Sequence, residues 1–338
     1  MNSNKLSFKQ YMNKWLYSND GYYTNYKTIG KEGDFFTSVS TSSFFGGTIA
    51  KKIVDEIKKG NLANNTTILE IGAHHGYLLA DIVQFIYTLE PSLLDTLNFS
   101  IVERYSSLQK IQKEYFEQSF GNKINIKHFD DIKNVKLSSA FILANEIFDA
   151  FPCNLVYTED SQLKQAFVKN NKISFRVCEN QNIINHCLNY KITKGEICLD
   201  YEEFINTICE NIKSFHFLTF DYGDKNPRND FSTRVYSNHE VMPIFEKNLK
   251  LEEHYKKSDI TYDVHFNYLI DIFKKNKLNN IAFDTQMNAL VKYGIIDLLE
   301  ILRKNTNESI YLKELQKVKL LIEPTSMGDR FKTLYVKK

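Results

Sequence analysis

The sequence predicts an α/β fold on a mostly parallel sheet, with a helical extension before it and a small α+β insertion within it. Three observations carry this. Short apolar strands alternate with helical patterns between residues 66 and 150, the rhythm of βαβ units. That rhythm breaks over 153–213, where three β-like runs follow one another. Two further strand-like runs close the chain, and their short connection predicts an antiparallel hairpin.

The elements follow in order. Phe8, Tyr11, Met12, Trp15 and Leu16 recur at helical spacing between Ser7 and Tyr17, with Ser7 placed to cap the helix. A polar, aromatic loop runs from Asp20 to Phe35. A second helix carries Phe45, Ile49, Ile53, Val54 and Ile57, and Gly60 suits its C-terminal end. The parallel strands are then Thr67–Ile71, Phe99–Glu103, Ile124–His128 and Ala140–Ala144, with helices over Tyr77–Leu89 and Ser107–Phe120. Asn154–Thr158, Gln162–Lys169 and Lys172–Cys178 read as a meander turning at Asn170-Asn171. A helix over Tyr201–Ile212 leads to a fifth main strand, Phe215–Asp221. The remainder is helical from Val264, with Asp284 as a cap and Gly294 as a stop. Val318–Ile322 and Thr333–Lys337 form the expected hairpin. The chain divides into a helical extension or lid (1–62), the first half of the sheet (63–152), the insertion (153–213) and the remainder (214–338).

Composition excludes several classes. Only 13 Gly and 5 Pro in 338 residues argue against linker, collagen-like and Pro-rich chains. The 43 Lys and Arg nearly balance 41 Asp and Glu, so no polyanion partner such as nucleic acid is expected. Five Cys with no C-x-x-C spacing read as buried thiols. The His residues lack ligand spacing, so no metal is expected. No apolar run approaches the roughly 18 residues that span a bilayer. No signal-peptide or Arg-rich transit pattern opens the chain. A cytoplasmic protein is the expectation, either a monomer or a homodimer.

The chemistry-bearing motifs sit at strand ends, where open α/β sheets bind ligands. Thr67-Ile-Leu-Glu70-Ile-Gly72-Ala73-His74-His75-Gly76 runs from a strand through a turn to a helix. It lacks the G-x-G-x-x-G of dinucleotide sites. Acid-x-Gly-x-x-x-Gly instead resembles the first motif of class I, Rossmann-like S-adenosyl-L-methionine (SAM) methyltransferases. Glu103 ends the second strand, where a carboxylate can accept hydrogen bonds from ribose hydroxyls. Asp130 and Asp131 follow the third and could address an adenine amino group. The fourth runs into Asn145-Glu146-Ile-Phe-Asp149-Ala-Phe-Pro152, an amide and two acids at one edge.

Together these pieces are similar to the MidA family of methyltransferases. The resemblance also covers Gly21-Tyr22-Tyr23, Gly30-Lys-Glu-Gly33-Asp34-Phe35-Phe36-Thr37, Phe45-Gly46, Asp221-Tyr222-Gly223, Ser258-Asp259-Ile260-Thr261, Gln286 and Met327-Gly328. It implies a seven-stranded sheet and SAM as cofactor. It also implies methyl transfer to an arginine of a protein, in the assembly of respiratory complex I. Glu70, Gly72, Ala73, His74, Gly76, Glu103, Asn145 and Asp130 or Asp131 would hold SAM. Glu146, Asp149 and Asp34 would orient a guanidinium, whose pKa above about 12 calls for carboxylate partners. Tyr22, Tyr23, Gly33, Phe35 and Thr37 would line the substrate cleft.

His74 departs from the family turn, which usually reads Gly-Ala-Gly-x-Gly. A side chain there either donates a hydrogen bond to the cofactor or narrows its pocket. This motivates a rival function, a non-catalytic assembly scaffold that keeps the fold; a small-molecule methyltransferase is a further alternative.

Overall fold

The computed structural model describes residues 5–24, 37–237 and 240–338. Gly33, Asp34 and Phe35 lie outside the described residues. The chain forms two compact units. One takes Met1–Phe36, Phe148–Glu203 and Tyr222–Asp271, and the other Thr37–Ile147, Phe204–Asp221 and Ile272–Lys338.

The second unit holds the main sheet. Its strand order is Asn280–Thr285, Phe331–Lys337, Ile212–Asp224, Leu137–Leu143, Thr67–Ile71, Asn98–Val102 and Ile126–Phe129. Thr67–Ile71 is buried at every position and pairs in parallel with both neighbours, Ile68 opposite Phe99 and Glu70 opposite Leu143. Ile126–Phe129 and the Ile212–Asp224 strand extend the parallel array on either side. Five parallel strands therefore end at one edge, and the segments after four of them, beginning at Gly72, Glu103, Asp130 and Ala144, emerge together.

The expected antiparallel pair exists, but with a different partner. Phe331–Lys337 runs antiparallel to Asn280–Thr285, Phe283 opposite Leu334. The run Val318–Ile322 ends a helix, Glu308–Ile322. Val318 and Leu321 are buried three residues apart, while Leu320 is 49% exposed. That one-sided burial follows a helix, and a five-residue apolar run does not distinguish the two states by itself. Asp284 likewise lies in a strand, and the cap is Thr285, whose Oγ1 accepts from Asn288 N–H at 3.2 Å. Gly294 ends that helix as expected and also opens the next, Ile295–Asn305.

In the other unit, Ser7 caps the Phe8–Tyr17 helix through a capping box with Gln10, and the predicted apolar face is buried. Trp15 Nε1 donates to the Ser258 carbonyl at 2.6 Å, and Tyr11 stacks on Tyr255. Gln162–Lys169 pairs with Asn154–Glu159, Lys172–Val177 and the short Leu6–Ser7 strand. Asn170 and Asn171 both have positive φ, as the two-residue turn requires. The helix Gln181–Tyr190 and the strand Lys194–Ile197 are additions to the predicted elements. Asn180 caps the former through its side-chain oxygen. A second small sheet places Arg234–Ser237 between Glu240–Pro243 and Asp259–Thr261. All five cysteines are buried and free. Among the described residues no helix is long and apolar enough to cross a membrane.

Candidate active site

The turn after Thr67–Ile71 is built from unusual backbone. Gly72, His74 and Gly76 have φ of +73°, +48° and +83°, the left-handed region that favours glycine. A Cβ on Gly72 would lie 3.1 Å from Ile147 Cγ2, so bare backbone faces the neighbouring loop. Gly76 N–H donates to the Ala73 carbonyl at 2.7 Å, closing the turn onto the helix Tyr77–Leu89. His74 occupies its strained position with two supports. Its carbonyl accepts from Gln112 Nε2 at 2.7 Å, and its Nδ1 faces His75 Nδ1 at 2.5 Å.

Glu70 lies behind this turn. Its Oε2 accepts from Leu79 N–H at 3.2 Å, in the first turn of the helix that follows. Burial pushes its carboxyl up to about 8, against the Leu79 hydrogen bond, which lowers it. The helix N-terminus thus has a carboxyl beside it, where negative charge is favoured. Glu103 is buried at the end of Asn98–Val102, and its Oε1 accepts from Tyr105 N–H at 3.0 Å. Burial raises its pKa also, partly offset by that bond and by the nearby Gln112 side chain. Asp130 and Asp131 are exposed. Asp130 accepts from the Asn134 amide, and Asp131 from the Lys133 N–H that opens the next short turn.

The loop after Leu137–Leu143 supplies the amide and the acid. Glu146 has φ of +50°, and its N–H is fixed by the Phe220 carbonyl at 2.9 Å. Its Oε1 accepts from Asn145 Nδ2 at 3.0 Å and from Ser38 N–H at 3.4 Å. Oε2 has no hydrogen bond among the described residues. Burial pushes this carboxyl up to about 7 despite the two donors. Asn145 Oδ1 is buried and unpartnered, an unmet acceptor of the kind a bound donor satisfies. Ser38 is held in turn: its Oγ donates to Gln286 Oε1 at 3.0 Å, and Gln286 Nε2 donates to the Leu321 carbonyl at 2.9 Å. Thr37 caps the short helix Ser38–Thr41 through a capping box with Ser40.

The structure brings Gly72, Ala73, His74, Gly76, Glu103, Asn145 and Glu146 to one sheet edge within one unit. Asp149, Tyr22 and Tyr23 belong to the other. There Asp149 is buried, and its carbonyl accepts from Tyr262 N–H at 3.2 Å. Tyr23 donates to Asp259 Oδ1 at 3.0 Å. Burial holds its phenol well above the usual range, so it stays a donor. Sequence reasoning missed Gln112, Ser38 and the role of Gln286. Gln112 had a signal, since it stands in the stripe Leu108, Gln112, Phe116 that its helix buries.

A family model described as "Putative S-adenosyl-L-methionine-dependent methyltransferase" matches residues 48–283. The chain belongs to this family, the MidA methyltransferases. It is similar to "Protein arginine methyltransferase NDUFAF7, mitochondrial" of Danio rerio, 23% identical over 92% of this chain and 78% of that one. The Homo sapiens protein of that name is 24% identical over 92% and 75%. A COG1565 superfamily member from Burkholderia thailandensis, solved bound to S-adenosyl-homocysteine, has the same fold. Its TM-score is 0.85 at 19% identity, covering 99% of this chain and 88% of that one.

SAM is therefore the cofactor of this MidA methyltransferase, and the residues at the sheet edge fit it. The Gly72 turn carries no side chain at its tightest point, Glu103 is an acceptor at the second strand end, and Asn145 Oδ1 is an unmet buried acceptor. When bound, SAM supplies an electrophilic methyl group. The protein's part is alignment, because displacement at carbon requires nucleophile, methyl and leaving sulfur in line. A carboxyl with a pKa near 7 can also take up a proton near neutral pH.

Proposed function

We propose that this MidA methyltransferase transfers the methyl group of SAM to a guanidino nitrogen of an arginine in a protein substrate. One observation carries the reading most directly. Glu146 is a shielded carboxyl beside the Gly72 turn, with Oε1 held by two donors and Oε2 unengaged among the described residues. A guanidinium is the cation that such an oriented carboxylate grips best, through charge-assisted and often bidentate hydrogen bonds. The names of the relatives support the same substrate. In this reading Gly72, Gly76, Glu103 and Asn145 hold SAM, and Glu146 orients the arginine and assists loss of its proton. The proposed target is a subunit of respiratory complex I during assembly, and the proposed location is the cytoplasm.

Incubation with methyl-labelled SAM and candidate protein substrates, followed by mass spectrometry, tests this. The expected product is a protein methylated on arginine, lost with Glu146→Ala while S-adenosyl-homocysteine binding persists. Label confined to small molecules, or no transfer by a chain that binds SAM, would overturn it.

A further inference from the structure

Gln112 is completely buried in the helix Ser106–Phe120, which packs against the Gly72–Gly76 turn. Its side chain touches three elements of the sheet edge. Nε2 donates to the His74 carbonyl at 2.7 Å. The Glu103 carboxyl lies near the same side chain, which helps lower its pKa against the effect of burial. Oε1 faces His128 Nε2 at 2.8 Å. The amide can stand only one way round, because a flip would aim its oxygen at the His74 carbonyl, which can only accept. With Oε1 toward His128, that ring must carry its proton on Nε2. Its Nδ1 is buried without a partner, which also disfavours a second proton there.

We propose that Gln112 is the positioning residue of the cofactor site: one buried amide ties the strained His74 turn to His128 in the strand Ile126–Phe129, whose Phe129 carbonyl in turn holds the Glu103 N–H. The proposal rests on the assignment of that turn and of Glu103 to SAM. An amide bonded in both directions at full burial has one low-energy pose, so the two binding elements keep their spacing before SAM arrives. That preorganisation substitutes for the glycine usual at position 74: the turn is held from outside.

Calorimetry with S-adenosyl-homocysteine tests it on the parent and on Gln112→Met, which keeps length and loses polarity. The expected result is a Kd weakened about tenfold or more, and a KM for SAM raised in parallel, with kcat at saturating SAM within about twofold of the parent. Nitrogen-15 NMR of the free protein is expected to find His128 with its proton on Nε2. A Kd within about twofold of the parent, or a proton on Nδ1, overturns the proposal. If Gln112→Met does not fold, His128→Leu decides: weakening of about threefold or more supports the proposal, and unchanged affinity overturns it. A parent chain that gives no heat would overturn the assignment of the turn itself, a result distinct from failure of the Gln112 role alone.

Discussion

The backbone N–H of Ser38 points at Oε1 of Glu146, 3.4 Å away and 108 positions along the chain. Ser38 is held in place because Gln286 accepts from its hydroxyl and is itself anchored on the Leu321 carbonyl. Gln286→Leu should leave the buried Ser38 hydroxyl only a weak contact to Met327 Sδ at 3.9 Å, costing about 1–3 kcal/mol of stability. It should also loosen Glu146. Steady-state kinetics are expected to register a fall of roughly tenfold in kcat with little change in the KM for SAM.

Glu146 predicts a pH dependence. Its carboxyl titrates near 7 in the free protein and must be ionised to hold a guanidinium. The limb of kcat/KM for the protein substrate should therefore rise with pH through about 7. Bound arginine favours the carboxylate, so the corresponding limb of kcat should lie lower. Glu146→Gln should abolish the limb together with most of the activity.

Glu70 predicts a stability effect of definite sign. Its carboxyl moves from 4.5 to about 8 on folding. A carboxyl raised in this way favours the fold while protonated. That contribution is complete below pH 4.5 and is lost as pH rises toward 8. Glu70→Gln keeps an acceptor for Leu79 N–H and cannot ionise. Relative to the parent, its melting temperature should climb steadily between pH 5 and pH 8, and an equal difference at both ends would refute the assignment.

His74→Gly separates backbone from side chain in the turn. The imidazole stands at φ +48°, a conformation that costs a non-glycine residue about 1–2 kcal/mol. Glycine relieves that cost and loses about 0.5–1 kcal/mol through a freer unfolded chain. Stability should rise by about 0–1.5 kcal/mol. Affinity for S-adenosyl-homocysteine should stay within about threefold, because the Gln112 bond is to the His74 backbone.

Much of the fold was legible because its signals are local. The Phe8–Tyr17 helix announced itself through spacing and a serine cap, and Asn170-Asn171 marked its hairpin turn. The parallel strands showed as apolar runs between helices. Val318–Ile322 misled because five apolar-rich residues satisfy a strand and a helix end alike. The partner of Phe331–Lys337 lay some fifty residues upstream, beyond any local pattern. Within the site, the strand ends at Gly72, Glu103 and Asn145 could be read from the alternation of elements. Ser38, Gln112 and Gln286 could not, because their roles come from hydrogen bonds across the tertiary fold. Only the amide inside an otherwise apolar stripe hinted at Gln112.

The strand Phe331–Lys337 lies inside the main sheet, between Asn280–Thr285 and Ile212–Asp224, yet it follows both in the chain. During synthesis, its neighbours therefore emerge from the ribosome before the piece that joins them. Until it arrives, two rows of backbone N–H and C=O groups stand open, a template for pairing with another chain. Sheet closure waits on the last described strand, and such non-local pairing slows folding. A nascent chain stalled before Phe331 would be a sticky intermediate.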